Sequence, residues 1–114
     1  MHDTIIECVK ILKLARPFKI EIVSASNPKM DAAYWPKYSE KKLKLTHMIR
    51  VYLGQSARSL ETLIAHEFIH AWQEENKLSE YHGPEFIRMA RKLEYKLGLS
   101  EIYIPGTDIE NPPL

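Results

Sequence analysis

The segment AHEFIHAWQEEN, residues 65–76, places two histidines and a glutamate at a spacing that could bind a metal ion. His66 and His70 are four residues apart, so on a helix they project from one face with Cβ atoms roughly 5–6 Å apart. Two imidazole nitrogens so placed can reach one Zn²⁺ at about 2.0–2.1 Å each. Glu67 lies about 100° further round the helix, where it could take a proton from a water on the open side of the metal. The spacing therefore indicates the His-Glu-x-x-His arrangement found in zinc-dependent peptide hydrolysis.

A catalytic zinc site needs a third protein ligand and one open position. A further histidine six residues after His70 would indicate the metzincin pattern, but that position is Asn76, and Gln73 stands where the pattern has glycine. The sequence therefore excludes a metzincin site.

Three other residues are candidates for the third ligand. Glu94 is one by its distance along the chain, and Glu85 is a weaker one, because some zinc proteases take a glutamate from a following helix. His82 is the stronger candidate, since the loop before it lets the chain reverse and the Gly83-Pro84 turn would hold its ring with little loss of entropy. The alternative to a metal site is that His66 and His70 lie on the polar face of an ordinary amphipathic helix and that His82 is an unrelated histidine in a surface loop.

Hydrophobic periodicity predicts three helices around these residues. They are residues 4–15, about 59–76 and 84–97. The second helix carries the motif, and Ser56 and Ser59 are its candidate N-caps. Pro84 fits the first turn of the third helix, and Gly98 would end it. The motif helix has one apolar stripe that should face the core, formed by Leu60, Leu63, Ile64, Phe68, Ala71 and Trp72.

Short runs with strand character predict a small sheet. They are residues 19–26, 32–38, 43–53 and, as a last strand, 102–105. Pro36 confines the second run to a sheet edge or a break. In the third run the odd-numbered residues from Leu43 to Leu53 should face the helices, and His47 among them is expected to be a hydrogen-bonded core residue. The order of elements predicts an α+β fold in which a small antiparallel sheet is covered on one face by helices.

Composition and charge restrict the class of protein. The 114 residues, 45% hydrophobic and 27% charged, suit one globular domain over 1–114, with 105–114 as a surface or frayed tail. A net charge of +1 gives no overall attraction for nucleic acid. A single cysteine, Cys8, excludes an internal disulfide and a four-cysteine zinc ribbon. No apolar run reaches the ~20 residues of a membrane helix and the first residues do not resemble a signal peptide, so we expect a soluble intracellular protein.

Several aromatic and basic side chains could add to a site. Tyr81 and Tyr95 could offer a hydroxyl to an oxyanion, although packing is the usual role of a tyrosine. Tyr34, Trp35 and Tyr38 could stack on unpaired bases, with packing again the preferred interpretation. The basic residues form three groups that an ordinary solvated surface explains: Lys10, Lys13, Arg16 and Lys19; Lys37, Lys41, Lys42 and Lys44; Arg88, Arg91, Lys92 and Lys96.

Two stretches, LETLIAHEFIHAW and, after a short loop, HGPEFIRMARKL, resemble the SprT-like metalloprotease family, to which the Spartan DNA–protein crosslink proteases belong. The resemblance covers residues 60–93 well and includes the Ala-Trp pair after the second motif histidine. It implies a minimal zincin fold that hydrolyses peptide bonds, often in proteins bound or crosslinked to DNA. It also implies that His66, His70 and His82 are the Zn²⁺ ligands and that Glu67 is the catalytic base.

The expected function is therefore that of a zinc metallopeptidase, monomeric and either cytoplasmic or associated with the nucleoid. Its partners would be a protein or peptide substrate and, as a candidate, single-stranded DNA or DNA–protein complexes. A hypothesis from another class is a nucleic-acid-binding module with a structural zinc and no significant proteolysis. A third is zinc-dependent hydrolysis of a substrate other than protein. Glu67→Gln separates the first hypothesis from the second, because only a protease depends on that carboxylate.

Overall fold

A computed structural model describes residues 2–24, 30–41, 44–53 and 57–105 of the chain. Within these ranges the protein has three helices and three strands, which confirms the predicted α+β class. In chain order they are α1 (His2–Leu12), β1 (Phe18–Val23), β2 (Ala32–Tyr38), β3 (Leu45–Tyr52), α2 (Leu60–Glu75) and α3 (Pro84–Leu97). Leu43, Ser56 and the predicted tail beyond Pro105 lie outside the described residues. None of the helices in the described part of the chain combines the length and the apolar character needed to cross a membrane.

The three strands form a mixed sheet, so the predicted antiparallel sheet is wrong. β3 lies in the centre, with β1 parallel to it on one side and β2 antiparallel to it on the other. Alternating side chains define the two faces of a strand but not the direction of its neighbours, which is why the sequence pattern did not reveal the parallel pair. β1 and β2 run in opposite directions, and β3 lies between them.

β3 takes the central position because its inner face is the most buried of the three strands. Every second residue from Leu45 to Val51 is buried, and the intervening residues are only partly buried. Leu53, just beyond the strand, is exposed, although it was predicted to face inward. In β2, Pro36 is the partner of His47 and has no N–H to donate, which an edge strand tolerates. Of the two predicted possibilities for this run, an edge and a break, the structure shows the edge.

α2 is the central helix of the fold. It packs against β2 and β3 on one side and against α1 and α3 on the other, so every residue from Thr62 to Ala71 is buried. Ser59, one of the two predicted caps, begins the helix, because its hydroxyl oxygen accepts the N–H of Thr62 at 3.1 Å. In the core Phe68 meets Phe18 edge-on, with ring centroids 5.1 Å apart. Since neighbours cover both sides of α2, its polar motif residues are buried together with its apolar stripe.

The ends of the other two helices follow local backbone chemistry. α3 begins at Pro84, whose missing N–H costs nothing in a first turn, and ends where Gly98 adopts a left-handed conformation with φ of 67°. Both ends were predicted. α1 ends at Leu12, earlier than predicted, because Lys13 already has a positive φ of 54°. The buried stripe of α3 is Phe86, Ala90 and Leu93.

The segment predicted as a last strand, residues 102–105, is irregular instead. Side chains of α3 bind its backbone: Glu94 accepts the N–H of Ile102 at 2.9 Å, and Arg91 donates to the carbonyl of Tyr103 at 3.2 Å. Ile102 itself is fully buried in the core. Hydrogen bonds to side chains therefore replace the sheet ladder that the apolar pattern suggested.

Glu75, the last residue of α2, joins the connection between α1 and β1 to β3 and, through His47, to β2. Its carboxylate accepts the N–H groups of Ala15 and Arg16 at 2.9 and 3.1 Å and lies 2.6 Å from Nε2 of His47. Nδ1 of His47 lies 2.8 Å from the hydroxyl of Tyr34, so the predicted hydrogen-bonded core histidine is confirmed. Burial raises the pKa of Glu75, but the hydrogen bonds from Ala15, His47 and Arg16 outweigh it and the net pKa lies below its ordinary value.

We expect the Glu75→Gln variant to be less stable by about 1–3 kcal/mol at neutral pH, because the charged acceptor of three hydrogen bonds is lost. This contribution is present above the unfolded-state pKa of 4.5 and disappears as the pH falls through the lower folded-state pKa. Urea unfolding from about pH 7 to about pH 3 should therefore show the difference from wild type shrinking. Glu40→Gln, at an exposed position between β2 and β3, is the control and should change stability by about 0.5 kcal/mol or less. A Glu75→Gln effect that does not depend on pH would contradict this assignment.

Candidate metal centre

Three histidines converge between α2 and α3. His66 and His70 lie one helical turn apart on α2, and His82 lies in the turn immediately before α3. One ring nitrogen of each lies within 4.8 Å of the corresponding nitrogens of the other two. The Nε2 atoms of His66 and His82 are 3.1 Å apart. The structure thus brings together the three residues that the sequence singled out, and the cluster could hold a metal ion.

The cluster is buried. His66, His70 and His82 expose only 7%, 3% and 7% of their surface, and the adjacent Glu67 exposes 5%. Polar groups buried to this degree cost free energy unless they find partners. Burial, and then the neighbouring His66, lower the pKa of His70 well below its ordinary value, so its ring is neutral. A neutral imidazole has the lone pair that binding to a metal requires.

A backbone carbonyl determines which nitrogen of His66 carries the hydrogen. Nδ1 of His66 lies 2.7 Å from the carbonyl oxygen of Ile102. Because a carbonyl can only accept, Nδ1 donates its hydrogen and Nε2 carries the lone pair. Nε2 is the atom that faces His82. The position of Ile102 is fixed in turn by the hydrogen bond from its own N–H to Glu94.

Gln73 determines the form of His70 by the same logic. The amide nitrogen of Gln73 donates to the carbonyl of Glu80 at 2.9 Å, so its amide oxygen faces the other way, 2.8 Å from Nδ1 of His70. That oxygen can only accept, so Nδ1 carries the hydrogen and Nε2 carries the lone pair. Nε2 of His70 is buried and has no hydrogen-bond partner among the described residues. No role was predicted for Gln73, although its position three residues after His70 put it on the same helix face.

This donor set fits Zn²⁺. Two nitrogens bound to one tetrahedral Zn²⁺ at about 2.0–2.1 Å lie about 3.3 Å from each other. The 3.1 Å between Nε2 of His66 and Nε2 of His82 is close to that value. A cation in the cluster would also satisfy the unpartnered Nε2 of His70. Three imidazoles leave a fourth position for water or substrate, as catalytic zinc sites require.

A carboxylate and two aromatic rings surround the cluster. A carboxylate oxygen of Glu67 lies 3.9 Å from Nε2 of His66. Phe86 packs on all three histidines, with ring centroids 4.7 to 4.8 Å apart, and Tyr81 stacks on His70 at 4.2 Å. Burial and the charge of Glu67 raise the pKa of Tyr81 to about 12, so its hydroxyl remains protonated at neutral pH. The rings are therefore held by close packing, and Glu67 lies beside the cluster.

The other candidates from the sequence do not belong to this cluster. Glu94, the alternative third ligand, accepts the N–H of Ile102, and Glu85 pairs with Arg88. Neither carboxylate is part of the group of described residues that could hold a metal ion. Tyr95 is 88% exposed and does not line a buried site.

We expect Glu94→Ala to weaken Zn²⁺ binding although Glu94 touches no ligand atom. Its loss releases the N–H of Ile102 and loosens the carbonyl that orients His66. Changes to such outer hydrogen-bond partners cost about 10–100-fold in metal affinity, and the indirect link here favours the lower end. Competition with a chelator measures the effect. Glu85→Ala, on the exposed side of the same helix, is the control, and equal Zn²⁺ affinities of the two variants would remove Glu94 from this role.

The aromatic residues of β2 divide between the two faces of the sheet. Tyr34 on the inner face lies near His70, with ring centroids 6.4 Å apart. The hydroxyl of Tyr38 bonds a carboxylate at the end of α2. Trp35 faces the opposite way, remains partly exposed and carries the guanidinium of Arg50 5.3 Å above its ring. Packing and hydrogen bonds therefore account for the two tyrosines, and Trp35 keeps a ring face at the surface.

The fold and the site together define a class of protein: an α+β domain in which a helix on a small mixed sheet carries part of a buried three-histidine cluster able to hold a metal. The model of the SprT-like family matches residues 24–106. This is well over half of the 114 residues, and the chain belongs to the SprT-like family. The resemblance noted in the two motif stretches is confirmed. Neither a curated protein nor a solved structure gave a match.

Proposed function

We propose that this protein is a zinc-dependent metalloprotease in which His66, His70 and His82 bind Zn²⁺ and Glu67 is the general base. The observation that carries the proposal is the convergence of three buried imidazoles beside a buried carboxylate. Membership of the SprT-like family, which is associated with metallopeptidase activity, supports it.

Bound in this cluster, zinc would polarise the carbonyl of a peptide and lower the pKa of a water molecule. Glu67 accepts a proton from the attacking water at its carboxylate and delivers that proton to the nitrogen of the leaving amine. The hydrogen bonds of His66 to Ile102 and of His70 to Gln73 keep both Nε2 atoms directed into the cluster throughout. The histidines would thus bind the metal, Ile102 and Gln73 would orient them, and Glu67 would move the proton.

The peptide substrate is proposed to lie extended along β2. This strand is at an edge of the described sheet, and Tyr34 on its inner face lies close to His70. An extended peptide can add to a sheet edge through main-chain hydrogen bonds, with alternate side chains entering pockets. Pro36 would leave one gap in those bonds, because it has no N–H.

We propose that the whole chain forms one minimal zincin-like domain and acts as a monomer in the cytoplasm or at the nucleoid. The packing of the motif helix α2 on β2 and β3 supports the zincin description.

DNA is proposed as a second partner, with proteins bound or crosslinked to it as candidate substrates. The exposed ring of Trp35 and the adjacent Arg50 could stack on unpaired bases and neutralise phosphate. The net charge of +1 argues against DNA binding as the sole function. A nucleic-acid-binding module with a structural zinc is the competing hypothesis.

Metal analysis combined with a protease assay tests the proposal. The protein would be incubated with an unfolded protein substrate, with and without single-stranded DNA. We expect bound zinc, cleavage that stops when a chelator removes it, and recovery when Zn²⁺ is added back. Cleavage that survives complete removal of metal would contradict the proposal. Zinc binding without cleavage, together with DNA binding that falls steeply with salt, would favour the competing hypothesis.

A further inference from the structure

Gln73 connects the two parts of the chain that carry the three histidines. Its side chain is buried, with its amide oxygen 2.8 Å from Nδ1 of His70 and its amide nitrogen 2.9 Å from the carbonyl oxygen of Glu80. Both distances are those of ordinary hydrogen bonds. Glu80 lies two residues before His82. One buried side chain therefore reaches from one histidine of the cluster to the loop that presents another.

The carbonyl of Glu80 also accepts a hydrogen bond from within that loop. The same oxygen accepts the N–H of Gly83 at 3.1 Å, which closes the turn that contains His82. Gln73 holds the loop a second time, because its own carbonyl accepts the N–H of Leu78 at 2.9 Å. The turn is tight, since a Cβ on Gly83 would lie 2.6 Å from the Cβ of Glu80. Loss of the hydrogen bond from the amide of Gln73 to Glu80 would therefore loosen the turn that holds His82.

We propose that Gln73 is a positioning residue for the metal site, which selects the Nδ1–H form of His70 and, through Glu80, fixes the loop that brings His82 to it. This inference rests on the proposed metal role of the three histidines. Glutamine suits the task because its side chain ends in one acceptor and one donor, as the partners on the two sides require. Methionine has a similar length but offers neither group, and glutamate keeps only the acceptor.

Two variants separate the two parts of this role. Gln73→Met removes both hydrogen bonds, and we expect its Zn²⁺ affinity, measured by competition with a chelator, to fall about 10–100-fold. Gln73→Glu still accepts from His70, so its affinity should fall less than that of Gln73→Met. Neither methionine nor glutamate at position 73 can donate to the carbonyl of Glu80, so the loop loses this hydrogen bond in both variants. In the metal-free proteins the amides of residues 78–83 should therefore exchange hydrogen roughly five- to tenfold faster than in wild type.

Cys8→Ala is the control for a general loss of stability. Cys8 is fully buried in the core, on α1, and its substitution should lower the free energy of unfolding without changing Zn²⁺ affinity or the exchange of residues 78–83. An affinity of Gln73→Met within about threefold of wild type would overturn the proposal, given the 10–100-fold effect expected of such partners. An affinity of Gln73→Glu as low as that of Gln73→Met, or unchanged exchange in the loop, would also overturn it.

The same experiment distinguishes this inference from the proposed function. If the variants show the expected order of Zn²⁺ affinities but neither wild type nor any variant cleaves a peptide, the proposed protease activity is contradicted and the role of Gln73 stands. If wild type cleaves and the affinities do not change, the role of Gln73 fails and the protease activity stands.

Discussion

The Glu67→Gln variant should bind Zn²⁺ as tightly as wild type and cleave peptide substrates about 10²–10⁴-fold more slowly, which is the range that a general base contributes. Glutamine preserves the shape and burial of the side chain, but its amide cannot take a proton from water at neutral pH. The three histidines and their partners Ile102 and Gln73 are unchanged. The loss should therefore appear in kcat, measured with the zinc-loaded proteins, and not in metal content.

Glu61→Gln is the matched control, because Glu61 lies in the first turn of the same helix and takes no part in the cluster. Its kcat should equal that of wild type within the error of the assay. Retention of wild-type cleavage by zinc-loaded Glu67→Gln would remove this carboxylate from the reaction and leave the cluster without a base. Loss of zinc from Glu67→Gln would show that Glu67 supports the metal instead.

The His82→Ala variant should lose Zn²⁺ affinity by more than about 10²-fold, because removing a ligand costs more than the 10–100-fold typical of an outer hydrogen-bond partner. His66 and His70 remain on α2 with both Nδ1 atoms bonded, so the remaining pair keeps its orientation. Cleavage should fall with the bound metal and recover in part at high Zn²⁺ concentration. Equilibrium dialysis against a zinc buffer measures the change.

Ser79→Ala, in the same loop and exposed, controls for effects on the loop itself and should leave the affinity unchanged. Unchanged Zn²⁺ affinity in His82→Ala would transfer the third position to another residue. Glu94 would be the first to test, although its carboxylate is already bonded to Ile102 and Arg91.

The site was predictable from the sequence where the spacing along the chain fixes the geometry. The i, i+4 relation places His66 and His70 on one face of any helix, and helix periodicity defined α2 closely. The loop and the Gly83-Pro84 turn suggested that the chain reverses after α2, and the structure places His82 beside the other two.

The partners of the histidines were not predictable in this way. The contact between His66 and Ile102 joins residues 36 positions apart, and no local pattern encodes such a distance. Residues 102–105 were predicted as a strand because their apolar residues favour strands. In the structure their backbone bonds the side chains of Glu94 and Arg91 on α3 and not a neighbouring strand. The antiparallel sheet was wrongly predicted for a related reason, since the parallel pairing of β1 with β3 joins strands that are not consecutive in the chain.

Diffraction from crystals grown with zinc, recorded at energies above and below the zinc absorption edge, locates the metal directly. We expect one anomalous peak, at about 2.0–2.1 Å from Nε2 of each of His66, His70 and His82, with a fourth position free of protein ligands. A zinc ion bound elsewhere, or a cluster in which the ring of His82 is not bonded to the metal, would contradict the proposed zinc site.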